Sequence, residues 1–491
     1  MKGRMDIAGA SMPRDANGAS GPLLTRRQCL ALPFATMATT ACTAPPGRSQ
    51  RVVEVDLVAA PGTAMLRGSG QPAVDVWSYG GAVPGPQIRA VQGSRLRVNF
   101  ENRLPAETTV HWHGMRVPHA MDGVPHLTQA PVPPGGRFRY EFDLPDAGTY
   151  WYHSHSRSSE QVERGLYGSI VVEEQRPLPV DRELTWVLDD WRLARDGRIS
   201  GDFAQPHDVA HAGRIGNVVT VNGQVPGDVR VRRGERLRLR LVNAANARIF
   251  GLQFDGHRSL VVAIDGQPVA PHEPDRNTVV LAPGMRVDLV LDAMGRPGER
   301  HAVGDVFYPR AAYDLLRLAY DEGAVREKAL PRPEAIAPNP LPDPDLAAAQ
   351  LHELRFEGGM HGGLHQAMLD GRSVPFMSLL RSGKAWAVNG TVADSHVHEP
   401  VLTLRRGRSY RLGFVNDTRW HHPMHLHGHS LRVLSRNGVP TRHREWQDTV
   451  LLAPDERAEV AFVADNPGDW MLHCHVLEHQ DGGMMAVVRV A

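Results

Sequence analysis

Three consecutive residues, His473-Cys474-His475, set out the chemistry this chain can do. In a β-strand, residues i and i+2 point to one face and residue i+1 to the other. The two imidazoles therefore serve one metal site and the thiolate a second, joined through bonds. On the thiolate side, His479 and Met484 follow in the chain, and His422 supplies a second imidazole from another strand. One thiolate, two imidazoles and a weak thioether make the ligand set of a blue-copper electron-transfer site. On the opposite face, the pairs His111/His113, His153/His155, His425/His427 and His473/His475 supply eight imidazoles. Nitrogen donors without carboxylates suit several copper ions rather than magnesium or calcium.

These pairs stand out from the composition. The chain has 491 residues, 25 His and 3 Cys, which excludes a disulfide scaffold. Random placement of the histidines would give roughly one or two His-x-His pairs; six occur, the other two being His396/His398 and His427/His429. Lys+Arg 55 against Asp+Glu 54 leaves a net charge of +1, so no basic excess calls for nucleic acid.

The elements that position the histidines repeat three times. A glycine is followed nine residues later by asparagine at Gly93/Asn102, Gly234/Asn243 and Gly407/Asn416. The intervening runs, such as Arg236-Leu237-Arg238-Leu239-Arg240-Leu241, alternate with period two and predict half-buried strands. Downstream, Pro133-Pro134-Gly135, Ala282-Pro283-Gly284 and Ala453-Pro454-Asp455 each introduce a further strand. Helical periodicity is sparse, so three tandem β-sandwiches are expected, over 50–176, 177–345 and 346–491, with a Pro-rich linker at 331–344. Gly-x-aromatic-x-x-His-x-His occurs at Gly148–His155 and again at Gly468–His475, but not in the middle unit. The outer units are expected to carry the ligands and the middle one to act as a spacer.

Residues 1–49 read as an export leader outside the fold. Arg26-Arg27, with an apolar stretch from Cys29 to Ala35 that runs on through small residues to Ala41, resembles a twin-arginine signal, although Cys29 stands where that signal has Phe. Cys42 after Thr39-Thr40-Ala41 resembles a lipoprotein box lacking its usual Leu. Two outcomes stay open, a lipid anchor at Cys42 or cleavage and release. Residues 1–24 are an extended leader or reflect a misplaced start at Met1. The expected location is the periplasm and the expected state a monomer.

His111-Trp112-His113-Gly114, His153-Ser154-His155, His422-Pro423-Met424-His425-Leu426-His427-Gly428 and His473-Cys474-His475, with His479 and Met484, resemble the four copper motifs of multicopper oxidases. The resemblance covers about residues 50–491. It implies an all-β chain of three tandem cupredoxin-like Greek-key β-sandwich domains and four copper ions. It implies type 1 ligands His422, Cys474, His479 and Met484, type 2 ligands His111 and His425, and type 3 ligands His113, His153, His155, His427, His473 and His475. The implied activity is one-electron oxidation of a phenol, an aromatic amine or Cu(I) near an exposed type 1 histidine edge, coupled to reduction of dioxygen to water. Asp122 matches a carboxylate that the family places near the type 2 copper, and reads as a proton relay against an Asp-Gly turn. Gln480 stands where cuprous oxidases of this family often have Glu; Asp481 or Glu478 would have to substitute.

Other residues have plainer readings. His396/His398 reads as a surface loop, His421 and His429 as packing or hydrogen-bonding neighbours of ligands, Asp448 as structural, and Trp112, Trp151 and Trp470 as core aromatics. The stretch 358–368, with Met360, Met368 and then Met377, is a thin version of a Met-rich Cu(I) segment. If helical, it puts His361, His365 and Met368 on one face; otherwise it is a Gly-rich lid. Two other classes fit less well. A non-catalytic descendant of the fold would have lost ligands, and a copper-sequestering protein would not need the His-Cys-His wiring.

Overall fold

The computed structural model describes residues 51–394 and 399–491. The leader, Cys29, Cys42 and His396/His398 lie outside the described residues.

The repeated Gly-to-Asn segments form the strands Arg95–Asn102, Glu235–Asn243 and Ser409–Asp417, and each takes the same place in its sheet. On one flank it pairs in parallel with Val52–Ala64, Arg182–Trp191 or Gln350–Gly358. On the other it pairs antiparallel with the strand that follows the proline turn, Arg137–Asp143, Arg286–Ala293 or Arg457–Val463. The recurring asparagine has a physical reason. Asn102 Nδ2 donates to the carbonyls of Ala106 and Val132, both at 2.8 Å, while its Oδ1 accepts from Leu104 N–H. Asn243 makes the same three bonds with Arg248, Leu281 and Ala245, and Asn416 with Trp420, Ala453 and Thr418. One side chain thus ties the strand end to the turn ahead of the next strand, satisfying loop carbonyls that would otherwise be buried unpaired.

The first sandwich has two four-stranded sheets, the middle one a six-stranded and a five-stranded sheet, and the third a seven-stranded and a five-stranded sheet. Each encloses its own core, around Val98, Phe100, Trp112 and Tyr140; around Leu239, Leu241, Phe250 and Leu289; and around Phe356, Leu412, Phe414 and Leu472. The α-helices are single turns of five or six residues.

The alternation in Glu235–Asn243 predicts one solvated face; instead every residue is buried. Its arginines are covered and paired: Arg236 with Asp292, Arg238 with Asp288 and Glu174, and Arg240 with Asp288, Glu183 and the Thr149 hydroxyl of the first sandwich. A polar face that meets another sandwich is buried at the cost of desolvation, offset by near-complete pairing. The 331–344 segment lies against the body. Leu330 and Pro331 carbonyls accept from Arg236, and Asn339 bonds both backbone groups of Ala147.

Two strand pairs position the histidines. His111–His113 runs antiparallel to Gly148–His153 with His111 opposite His153, and His422–Leu426 runs beside Gly468–Cys474 with His425 opposite His473.

Candidate metal centres

The eight paired histidines converge from the first and third sandwiches. His155, His427 and His473 place ligand nitrogens within 4.8 Å of one another, as do His111, His425 and His427, and His111, His113 and His153. His113 and His475 approach to 4.8 Å between ring centroids, and His153 and His475 to 5.3 Å. All eight rings are buried. Desolvation, with the neighbouring rings, holds His113, His153, His155, His427, His473 and His475 well below the usual imidazole range, so they are neutral and have a lone pair to offer.

Hydrogen bonds choose which nitrogen faces inward. Nδ1–H of His111 donates to the Asp122 carbonyl at 2.8 Å, that of His153 to the Ser154 carbonyl and that of His425 to the Asp448 carbonyl, both at 2.9 Å. Their Nε2 atoms have no protein partner. His113 is turned the other way: Nε2–H reaches Asp448 Oδ1 at 3.1 Å and Thr449 Oγ1 at 3.0 Å, which leaves Nδ1 unpartnered. Neither ring nitrogen of His475 has a partner. Buried imidazole nitrogens left without partners, ringed by others of their kind, fit a set of metal ions.

Behind this cluster, Cys474 Sγ lies 3.5 Å from His422 Nδ1 and 3.6 Å from His479 Nδ1, and the two nitrogens are 3.1 Å apart. Met484 is fully buried in the same core, and its carbonyl accepts from Cys474 N–H at 3.1 Å. Burial pushes the Cys474 thiol up, pushes His422 well down and His479 down to about 3. Those directions oppose protons on nitrogen and, without a metal, favour one on sulfur. A bound cation reverses the thiol's preference, because a coordinated thiol is deprotonated. The far nitrogens are fixed as well: His479 Nε2–H donates to the His211 carbonyl at 2.7 Å, and His422 Nε2–H to Thr418 Oγ1 at 2.8 Å.

The exposed histidine edge expected at this site is absent. His422 and His479 are both fully buried; Trp386 lies 4.2 Å from the His479 ring and 4.9 Å from the His422 ring, and the His211 carbonyl meets the outer nitrogen of His479. Trp386 sits just upstream of a Val-Asn-Gly turn, and nothing in its spacing marks it.

Known proteins bear on these two sites. The chain matches multicopper oxidase family models over residues 62–177, 182–303 and 372–491. It is 31% identical to a multicopper oxidase of Mycobacterium tuberculosis over 91% of this chain and 89% of that one, and 26% identical to copper resistance protein A of Pseudomonas syringae over 84% and 88%. A crystal structure of a multi-copper oxidase from Pseudomonas thermotolerans superposes with TM-score 0.79 at 34% identity, over 90% of this chain and all of that one.

The chain belongs to the multicopper oxidase family.

The oxidase is an oxidoreductase that uses dioxygen as acceptor, is built from three cupredoxin domains, and takes four copper ions, one type 1, one type 2 and a type 3 pair. Its histidine clusters suit that complement. Asp122 is fully buried: Oδ2 accepts from His427 Nδ1–H at 2.8 Å, and Oδ1 lies 3.3 Å from His111 Nδ1. It also sits in a turn, since Gly123 takes φ +83° and a Cβ there would collide with the Val110 carbonyl. The Asp-Gly turn is thus present, and the Asp122 carboxylate also faces two histidines of the cluster.

Gln480 is buried and donates to Ser158 Oγ at 3.2 Å. Burial pushes Glu478 up to about 7, and its carboxylate accepts from Asn246 and from Arg214 N–H. Asp481 accepts from the Ser159 hydroxyl at 2.5 Å and, with Gln480, lines a cavity of about 580 Å³ that reaches His155. His429 packs on Trp470 and Phe462 rather than joining the cluster, and His421 packs on Phe307. Trp112, Trp151 and Trp470 are all core residues, and Trp151 also stacks on His153 at 4.2 Å. The 358–368 segment is not helical. Gly358 and Gly359 take positive φ, and Met368 is exposed on the short strand Gln366–Leu369. Met360 alone of its methionines reaches the thiolate side, packed on that core with its carbonyl accepting from Trp420 Nε1.

A second cavity, about 430 Å³, opens beside the thiolate site. Phe307, Tyr308, Trp420 and His421 line it, with Arg419 and Val476. His421 precedes His422, and Val476 lies two residues beyond Cys474.

Proposed function

We propose that this oxidase draws electrons from small aromatic reductants, phenols or aromatic amines, bound in the cavity beside the type 1 site. The observation that carries this is the wall of that cavity, the four aromatic rings of Phe307, Tyr308, Trp420 and His421, the last of them chain-adjacent to His422. Such rings stack on a planar ring, and the short covalent path from wall to ligand favours electron transfer. His422, Cys474, His479 and Met484 would hold the type 1 copper, His111 and His425 the type 2 copper. His113, His153 and His475 would hold one type 3 ion, and His155, His427 and His473 the other. Bound copper supplies one-electron chemistry, so that four substrate oxidations and four protons reduce one dioxygen to two waters. The protein holds and tunes the metals. Cys474 is chain-adjacent to both His473 and His475, and the Cys474 carbonyl accepts from His473 Nδ1–H at 2.9 Å, so a covalent route joins the two sites. Asp122, with Oδ1 unpartnered against the cluster, would hold protons for the dioxygen side.

Cu(I) is the second reading, favoured by Met360 and by His211, whose ring lies 5.3 Å from Trp420 and 6.3 Å from His361 over the covered His479. Export to the periplasm, anchoring or release at Cys42, and a monomeric state belong to the same proposal. Copper-loaded protein should show a thiolate-to-copper band at about 600 nm and consume dioxygen faster with a phenol than with Cu(I). Absence of both band and uptake would refute the ligand assignment; faster uptake with Cu(I) would reverse the substrate reading.

A further inference from the structure

The middle sandwich supplies no copper-binding histidine, yet it reaches into the cluster. Arg286, at the start of the strand Arg286–Ala293, is completely buried. Its guanidinium forks onto the Asp448 carboxylate at 2.8 and 2.6 Å, and also donates to the carbonyls of Gly284 at 3.1 Å and of Thr149, in the first sandwich, at 3.2 Å. Asp265, also from the middle sandwich, accepts from Arg286 N–H with one oxygen and from the N–H groups of Asp448 and Thr449 with the other, at 3.0 to 3.2 Å. Asp448 and Thr449 are thus clamped through both side chain and backbone.

Those two residues set the orientation of two cluster imidazoles. His113 Nε2–H points at Asp448 Oδ1 and Thr449 Oγ1, which turns Nδ1 inward, and His425 Nδ1–H donates to the Asp448 carbonyl, which turns Nε2 inward. The closeness of the fit is visible at two glycines. A Cβ on Gly114, at φ +81°, would collide with the Arg286 guanidinium and crowd the Asp448 carboxylate, and one on Gly284 would press on the rings of His475 and His113.

We infer that Arg286, braced by Asp265, is a positioning residue for the trinuclear cluster: through Asp448 it fixes the tautomer and direction of His113 and His425, ligands that come from different sandwiches. The inference rests on the proposed assignment of the eight histidines to that cluster. It makes the middle domain a working part of the dioxygen site rather than a spacer. A guanidinium suits the task because its planar fork meets both carboxylate oxygens while further N–H groups reach carbonyls, a geometry that an ammonium does not reproduce.

The test uses copper-loaded protein and three readouts: copper per chain, the type 1 band, and the type 2 electron paramagnetic resonance signal. Arg286→Met should keep the type 1 band while copper at the cluster binds roughly 10–100-fold more weakly and the type 2 signal changes, the range expected when an outer partner of a metal ligand is lost. Arg286→Lys, which retains the buried charge, should fold and shift the type 2 signal in the same sense by less; it decides the matter if the methionine variant does not fold. Arg238→Met removes an equally buried ion pair of the same sandwich that does not touch Asp448, and should lower Tm with copper content and type 2 signal unchanged. Wild-type copper content and type 2 signal in both Arg286 variants would overturn the inference. So would equal loss of cluster copper in Arg238→Met, since generic destabilisation would then explain it. A wild-type protein that takes type 1 copper but no cluster copper would overturn the ligand assignment itself, and this inference with it.

Discussion

Most of the cluster imidazoles use one ring nitrogen to hold the protein and offer the other inward, and burial keeps them neutral until a metal arrives. This has a consequence for the copper-free protein. Among the described residues, ten fully buried histidines are held below the ordinary range. Six buried carboxyls are held above theirs, among them Glu163 at about 8 and Glu478 at about 7. Unfolding returns the rings to 6.5. Below that pH the unfolded chain binds protons that the folded one refuses, so the rings contribute stability that is intact above pH 6.5 and lost as pH falls, down to about 3 for His479. The carboxyls act in the opposite sense, favouring the folded state at low pH, but the rings outnumber them. Copper-free protein should therefore melt at lower temperature at about pH 5 than at about pH 7.5; an equal or higher Tm at the acid pH contradicts this account. The two clusters were legible in the chain because a strand's period of two sorts His-Cys-His onto two faces. Trp386, Thr418 and the His211 carbonyl were not, because they reach His422 and His479 from loops and strands whose spacing encodes nothing about them.

At the scale of elements, the Gly-to-Asn strand was readable as a repeat, but its sheet partners and the work of its asparagine became visible only with the fold. In the third sandwich that asparagine controls the approach to His422. Asn416 holds the Trp420 carbonyl and the Thr418 N–H, and Thr418 Oγ1 in turn bonds both Asn416 Oδ1 and His422 Nε2. Asn416→Ala should cost about 1–3 kcal/mol through buried carbonyls left unpaired, and should also shift the type 1 absorption band as the His422 ring loses its anchor. Asn243→Ala removes the same three bonds in the middle sandwich, where no ligand follows. It should show a similar loss in denaturant unfolding with the band unmoved. A band shift in both variants, or in neither, would mean that the asparagine does not govern the loop ahead of His422. The strand Glu235–Asn243 marks the limit of alternation as a guide. Its period identified the strand correctly, but period alone cannot tell a face meeting water from one meeting another sandwich through paired arginines.

Across the whole molecule, function gathers where sandwiches meet, which is where a linear reading is weakest. The cluster lies between the first and third sandwiches with the Arg286 brace entering from the middle one, and the aromatic cavity beside the type 1 site is shared in the same way. Ile249, Phe307 and Tyr308 come from the middle sandwich, Arg419, Trp420 and His421 from the third. Phe307 and Tyr308 pack edge to face at 4.9 Å, and Phe307 meets His421 at 5.4 Å, so the middle sandwich supplies half of the surface on which a substrate ring would stack. Phe307 lies far in sequence from every ligand and occurs in no motif. Phe307→Ala should raise KM for a phenol about fivefold to tenfold, the equivalent of one lost aromatic contact of roughly 1–1.5 kcal/mol. The type 1 band and kcat at saturating phenol should stay close to wild type, because no ligand or ligand neighbour in the chain is altered. KM for Cu(I), which has no ring to stack, should not move. Steady-state dioxygen uptake with the two reductants separates the cases. An unchanged phenol KM would place the electron donor elsewhere on the molecule, and a parallel rise for Cu(I) would show that both reductants share this approach.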